Sequence, residues 1–269
     1  MQPLVILGFG NMGSAIAAGA RRAGAIDAAS TFIADPSPDR RNEAAALGLA
    51  AFPDASEALR AAPSSAAILL AIKPQMLAAV APTLAPLGDR PLISILAGTP
   101  IARLTEALGT ASIIRAMPNT PALIGRGLTA LTPASRPEDD ALARSLFQSV
   151  GDVVTLDESL FDAFTALAAS GPAYLFHLAQ AMADAGTRMG FDAAQSLDIV
   201  RATLSGSAEL LALSPDPPET LRARVTSPGG TTAAAIAILE SRAVREAIAD
   251  AVIAARDRAC DLGHGSGSA

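Results

Sequence analysis

The run Pro3-Leu4-Val5-Ile6-Leu7-Gly8-Phe9-Gly10-Asn11-Met12-Gly13 decides the fold of this chain. An apolar run over residues 3–7 stops at Gly8, and residues 11–24 read as a helix closed by Gly24. Between strand and helix the glycines stand as G-x-G-x-x-G. That spacing allows a tight turn and lets the backbone come close to a pyrophosphate at the helix N-terminus, where unpaired N–H groups and the helix dipole favour an anion. The alternative is a plain strand–helix turn. Against it, the second strand, Thr31 to Ala34, runs into Asp35, where an acidic side chain can accept hydrogen bonds from both hydroxyls of an adenosine ribose.

Outward from there the pattern repeats. Ser37-Pro38-Asp39 starts another helix with an N-cap and a proline in its first turn, so Asp35 also reads as the residue that turns the chain before Pro36. Apolar runs recur at 66–72, 91–96 and 112–116 with helical stretches between them, and 127–131 and 152–156 read as the last strands. Strands alternating with helices predict a doubly wound parallel sheet of the Rossmann type, covered on both faces. After Leu156 the texture changes to nearly continuous Ala-rich helix up to Leu262, broken at Ser214-Pro215-Asp216-Pro217-Pro218. The expected organisation is a dinucleotide-binding domain over 1–156 and an all-helical domain over 157–269. Gly263 ends the last helix, and His264 to Ala269 reads as a disordered Gly/Ser tail.

Composition narrows the classes. The chain of 269 residues is 51% hydrophobic but 3% aromatic, without Trp, so the core is packed from Ala, Leu, Ile and Val. A net charge of −6 and a pI near 4.9 argue against nucleic acid or an anionic membrane as partner. A single cysteine, Cys260, excludes an internal disulfide and a thiol-based metal cluster, and no metal site is expected. No leader or apolar run of spanning length is evident, which makes a cytoplasmic protein the expectation. The helical half is too poor in large side chains to be stable alone, and a second copy interleaving with it is the simplest remedy.

The second informative stretch is Val225-Thr226-Ser227-Pro228-Gly229-Gly230-Thr231-Thr232-Ala233-Ala234-Ala235. Hydroxyls flank a Pro-Gly-Gly turn, and an alanine-rich helix opens behind it. Glycines let a small anion approach the first N–H groups of that helix, so the segment reads as a seat for a carboxylate or phosphate. The alternative is a capped turn with Ser227 as N-cap and Pro228 at the first helical position. Lys73 is the sole lysine among twenty basic residues. A compact ammonium kept where every other basic site is Arg hints at a need for a point charge there, although chance could equally leave one survivor.

The segment Ser227 to Thr232, with its small-residue helix and Leu239-Glu240, resembles the signature of the pyrroline-5-carboxylate reductases. Gly8 to Gly13, Ala71-Ile72-Lys73-Pro74, Ala97-Gly98, Arg115 to Pro121 and Ser170-Gly171-Pro172-Ala173-Tyr174 follow in that family's order, spanning nearly the whole chain. The resemblance implies reduction of 1-pyrroline-5-carboxylate to L-proline with NADPH or NADH. It implies that the Gly8–Gly13 loop (Gly8, Phe9, Gly10, Asn11, Met12, Gly13) and Asp35 hold the coenzyme. Ala71, Ile72, Lys73, Pro74, Ala97 and Gly98 line its nicotinamide half. The Ser227 hydroxyl and the N–H groups of Thr231 and Thr232, with Gly230 beside them, hold the substrate carboxylate, and the Thr232 hydroxyl reaches the ring nitrogen as the nearest thing to a catalytic group. Pro118 and Asn119 shape a loop between the domains or serve as a structural turn. Ser170-Gly171-Pro172 starts the long helix through which the family forms homodimers, often within larger rings.

The residues themselves bear on the reaction. Reduction of a carbonyl needs a proton donor. His264 lies in the tail, His177 reads as a core or interface histidine one turn after Tyr174, Asp184 reads as a solvated helix residue, and the second half has no lysine. A cyclic imine can enter already protonated, so the protein has mostly to orient the partners and exclude water. A related imine or keto-acid reductase, a reductase of a deazaflavin cofactor sharing the N-terminal pattern, and a nucleotide-sensing module without chemistry are the competing readings. Asp35 departs from the small polar residue frequent in the family, and the expectation is that NADH works at least as well as NADPH.

Overall fold

A computed structural model describes residues 1–263; the expected tail from His264 lies outside the described residues. The chain divides into two compact units, Met1–Ser170 with the stretch from Ala255 on, and Gly171–Ala254. The division thus falls later than Leu156, and the end of the last helix returns to the first unit.

The first unit begins with β1 (Leu4–Leu7), α1 (Asn11–Arg22), β2 (Thr31–Ala34), α2 (Pro38–Ala46), β3 (Ala50–Phe52), α3 (Ala55–Ala61) and β4 (Ala67–Leu70). It continues with α4 (Leu77–Leu84), β5 (Leu92–Ser94), α5 (Ile101–Leu108), β6 (Ile113–Met117), β7 (Gly127–Leu131), α6 (Pro137–Gln148), β8 (Gly151–Thr155) and α7 (Phe161–Phe164). The strands form one eight-stranded sheet in the order β3-β2-β1-β4-β5-β6-β7-β8. Leu4 to Leu7 are all buried, as expected of a central strand covered on both faces. Their side chains alternate between two cores. Leu4 and Ile6 join Phe9, Ile16 and Phe147 on one face, while Val5 and Leu7 join Ile68, Leu70 and Leu104 on the other.

Two features depart from the sequence expectation. The edge strand β3 is additional, since Ala50-Ala51-Phe52 is short and alanine-rich and carries little strand signal. The sheet is also not wholly parallel: β7 pairs antiparallel with β6, and β8 then pairs parallel with β7. The reason is the connection. Only residues 118–126 separate β6 from β7, too few for the crossover that a parallel neighbour needs, whereas α6 supplies one between β7 and β8.

After α7 the helix continues through one wider turn of π type, Thr165–Ala169, into α8 (Gly171–Arg188). Pro172 has no N–H to return to the Ala168 carbonyl, and the Asn119 amide donates to it instead at 3.1 Å. The other end of the same amide accepts from the Leu128 N–H, so Asn119 acts as the structural clamp of β7. The second unit then holds α8, α9 (Ala193–Leu213), α10 (Pro218–Arg224), α11 (Thr231–Ser241) and the start of α12 (Val244–Gly263). Between α8 and α12 only Gly186, Ser196, Val200 and Ala259 are buried, while Leu175, Phe176, Leu178, Leu210, Leu213 and Ile238 stand exposed. Among the described residues no helix is long and apolar enough to cross a membrane.

Candidate active site

The loop after β1 carries the first half of the site. Gly8 has φ +94°, and a Cβ there would stand 2.6 Å from the Ala71 carbonyl oxygen. β1 and β4 are therefore locked together at their C-terminal ends, where doubly wound sheets bind ligands. Gly10 is the N-cap of α1, and a Cβ there would meet nothing within 4 Å. The first N–H groups of α1 thus face open space that a pyrophosphate could fill. Gly13 has a packing role, because a Cβ would strike the Gly8 carbonyl.

This loop borders a cleft of about 1190 Å³, somewhat larger than most small-molecule sites. Of the residues expected at the coenzyme, Gly8, Gly10, Asn11, Met12, Asp35, Ala71, Ile72, Lys73, Pro74 and Ala97 line it. Phe9, Gly13 and Gly98 do not. Phe9 is fully buried and anchors the loop to the core. Gly98 turns with φ +61° under α12, where a Cβ would come within 3.0 Å of the Leu262 Cβ. Lys73 is exposed at the mouth. Met117, Pro118, Thr120 and Leu123 add an apolar wall, and Asp54 to Ser56, which follow the unforeseen β3, add a polar one.

Asp35 does more than turn the chain. Its Oδ2 accepts from the Phe9 N–H at 2.7 Å and its Oδ1 from the Ser37 N–H at 2.9 Å. The carboxylate therefore ties the glycine loop to the start of α2, and each oxygen keeps a lone pair for a ligand. Ser37 occupies the N-cap position expected of it, but its hydroxyl does not cap; the Asp35 carboxylate instead accepts from the N–H of Ser37 itself, closing the turn ahead of α2. Arg40 also lines the cleft, its guanidinium donating to the Asn11 side-chain oxygen at 3.0 Å and to Glu43 at 2.8 Å. Arg41 is turned away, onto the carbonyls of Asp35 and Pro36.

A cluster that sequence reading missed supports the Ala97–Gly98 turn. Arg115, 5% exposed, reaches Glu158 at 3.2 Å and Asp162 at 3.7 Å and lies 4.9 Å from the Phe161 ring centre. Glu158 also accepts from the Ile101 N–H at 2.8 Å, which caps α5 directly behind that turn. The Asp162 carboxylate, hydrogen-bonded to the Cys260 thiol, raises the pKa of that cysteine. No spacing rule links Arg115 to carboxylates 43 residues and more away.

In the second unit the Ser227 stretch is a turn, not a cap. The Gly230 N–H donates to the Ser227 carbonyl at 3.0 Å, Gly229 has φ +72°, and α11 opens at Thr231 with Gly230 as its N-cap. Ser227 as N-cap with Pro228 in the first turn is therefore corrected: the helix begins three residues after Pro228. A Cβ on Gly230 would stand 2.5 Å from the Ser227 hydroxyl oxygen. The glycine lets that hydroxyl lie against the N-cap residue of α11. An ion pair between Arg222 and Glu240 joins α10 to α11 around this turn. His177 and Asp184 are exposed in this unit.

The family model described as pyrroline-5-carboxylate reductase dimerisation matches residues 158–262, and the one described as NADP oxidoreductase, coenzyme F420-dependent, matches residues 3–98. The pyrroline-5-carboxylate reductase of Thermus thermophilus is 39% identical over 97% of this chain and 98% of its own length. That of Synechocystis is 43% identical over 78% of this chain and 79% of its own. The chain belongs to the pyrroline-5-carboxylate reductase family. Among solved structures, the Plasmodium falciparum pyrroline carboxylate reductase with NADP bound matches with a TM-score of 0.84 and 30% identity, covering 97% of this chain and 98% of that one. A reductive aminase from Aspergillus terreus, 20% identical with a TM-score of 0.57, shares the fold alone. In this reductase family member the deazaflavin-type match stays within the N-terminal half, where the coenzyme loop lies.

Proposed function

We propose that this chain is a pyrroline-5-carboxylate reductase, reducing the C=N bond of 1-pyrroline-5-carboxylate to give L-proline, the last step of proline biosynthesis. The observation that carries the reading is the match to reductases of that name over 97% of the chain. NADPH or NADH, when bound, supplies the hydride. The N–H groups at the start of α1, with Asp35, Arg40 and Lys73 around them, fit a dinucleotide, and Ala71 to Pro74 with Ala97 and Gly98 serve its nicotinamide half.

The seat at Ser227, Gly230, Thr231 and Thr232 holds the substrate carboxylate by one hydroxyl and by N–H groups that the helix itself leaves unpaired. The Thr232 hydroxyl hydrogen-bonds the ring nitrogen. That nitrogen arrives protonated, so hydride adds to the imine carbon, the π pair moves onto nitrogen, and no further acid is required. Orientation and exclusion of water carry most of the acceleration. The unit that begins with the sheet is assigned to dinucleotide binding, and the helical unit Gly171–Ala254 to substrate binding and dimerisation. The exposed apolar side chains of α8 and α9 support a homodimer. Assembly into a larger ring is part of this proposal on the family resemblance, a cytoplasmic location is part of it as the sequence-based expectation, and an acidic chain speaks against a nucleic-acid partner.

Steady-state oxidation of NADPH and NADH tests the reading. Coenzyme is consumed only with 1-pyrroline-5-carboxylate, and proline accumulates in equal amount. Equal turnover of open-chain 2-keto acids without proline overturns it in favour of a keto-acid reductase, and coenzyme binding without any turnover in favour of a sensor.

A further inference from the structure

The turn Ala97-Gly98-Thr99-Pro100, between β5 and α5, has two sides. Ala97 is exposed and lines the coenzyme cleft, whereas Gly98 and Thr99 are buried. The far end of the chain lies against the buried side. A Cβ on Gly98 would stand 3.0 Å from the Leu262 Cβ and 3.5 Å from the Gly263 nitrogen. One on Gly263 would stand 3.5 Å from the Gly98 carbonyl oxygen and 3.9 Å from Pro100 Cγ. The last turn of α12, which belongs to the first unit from Ala255 on, thus fixes the back of a turn whose front faces the cleft.

That end of α12 is itself anchored. Ala259 is 6% exposed, and the neighbouring Cys260 thiol donates to the Asp162 carboxylate. Asp162 pairs with the buried Arg115 at 3.7 Å. The other carboxylate on Arg115, Glu158, accepts from the Ile101 N–H where the turn runs into α5. The turn is therefore held at its exit by Glu158 and from behind by residues 260–263, and both holds lead back to Arg115. Where catalysis rests on orientation, a misplacement of roughly 1 Å far from the chemistry can cost about a hundredfold in rate. We propose that the last turn of α12, with Cys260 as its anchor, positions the nicotinamide end of the coenzyme by holding the Ala97–Gly98 turn in place. Neither Cys260 nor Leu262 lines the cleft, so both act through that turn. The inference rests on the assignment of Ala97 and Gly98 to the nicotinamide half.

Equilibrium titration of the full chain tests it with two ligands. One is the coenzyme the parent binds more tightly, NADH or NADPH; the other is the matching fragment without nicotinamide, ADP-ribose or its 2′-phosphate. Cys260→Ala should weaken coenzyme binding about three- to tenfold, the worth of one modest hydrogen bond, and leave the fragment's affinity unchanged. Cys260→Ser, which keeps a donor for Asp162, should bind the coenzyme as the parent does. Leu262→Pro removes a helix N–H and drives the proline ring into the preceding turn, lifting the end of α12. It should weaken coenzyme binding at least as much as Cys260→Ala, again without touching the fragment. Thermal melting checks that each variant is folded. Coenzyme binding unchanged in both Cys260→Ala and Leu262→Pro, equal loss of coenzyme and fragment, or a Cys260→Ser as weak as Cys260→Ala overturns the proposal. A parent that binds neither ligand overturns the coenzyme reading of the cleft, and this inference with it.

Discussion

Asp35 spends one lone pair of each carboxylate oxygen on a backbone N–H, at Phe9 and at Ser37. The remaining pairs can accept from a ribose, while Arg40 stands beside Asn11 where a 2′-phosphate would need a cation. NADH is expected to work at least as well as NADPH. Asp35→Ser should shift preference toward NADPH and also cost stability, since the loop loses two charge-assisted bonds, each worth about 1.5–3 kcal/mol. kcat/KM for both coenzymes, with a denaturant titration, reads both effects; a parent that strongly prefers NADPH shows that Arg40 outweighs the carboxylate. Thr232→Ala should lower turnover about three- to tenfold, the worth of one neutral hydrogen bond, more than it weakens coenzyme binding. Ser227→Ala should act mainly on substrate KM. If both variants match the parent, the turn before α11 serves structure alone. Lys73 lies at the cleft mouth, and Lys73→Arg should impair coenzyme use although charge is kept, because a planar fork does not replace a point charge. Normal coenzyme kinetics in that variant would mean the single lysine is a chance survivor.

Helix α5 depends on a residue far from it in the chain. Glu158 caps its first N–H and at the same time neutralises the buried Arg115. Glu158→Ala is expected to cost about 1 kcal/mol or more, as for loss of a helix cap, and to raise the KM for coenzyme because the Ala97–Gly98 turn leads into that helix. Glu158→Gln keeps an acceptor and should restore part of the stability. Denaturant midpoints and coenzyme KM for the two variants check this; unchanged values in Glu158→Ala would show that α5 holds without its cap. At this scale the sequence was readable where the signal is local. β2 falls at Thr31–Ala34 and β7 at Gly127–Leu131, as their apolar runs predict, because each run carries its own period and punctuation. β3 was not readable, since two alanines and one Phe at a sheet edge carry no such period.

The helical unit on its own leaves Leu175 at 57% and Phe176 at 68% exposure on adjacent positions of α8, a cost that a second copy would remove. The melting temperature should therefore rise with protein concentration, as mass action requires of a dimer whose folding and association are linked. Phe176→Glu should yield monomer by sedimentation and melt lower. A concentration-independent melt of a monomeric parent would exclude this.

The chain by itself determined the glycine loop, most of the strands, the change to helix after the sheet, and the Pro-Gly-Gly turn before α11, because these are written in neighbouring residues whose backbone angles and periods are local. Tertiary structure alone decided the reversed direction of β7, the double tie of Asp35, and the joining of Arg115 to Glu158. It likewise decided that Asn119 takes the hydrogen bond Pro172 cannot make, 49 residues along the chain from its partner. The direction of β7 follows from its short connection to β6 once both strands lie in one sheet, and the others depend on which polar group is left without a partner when the elements have packed.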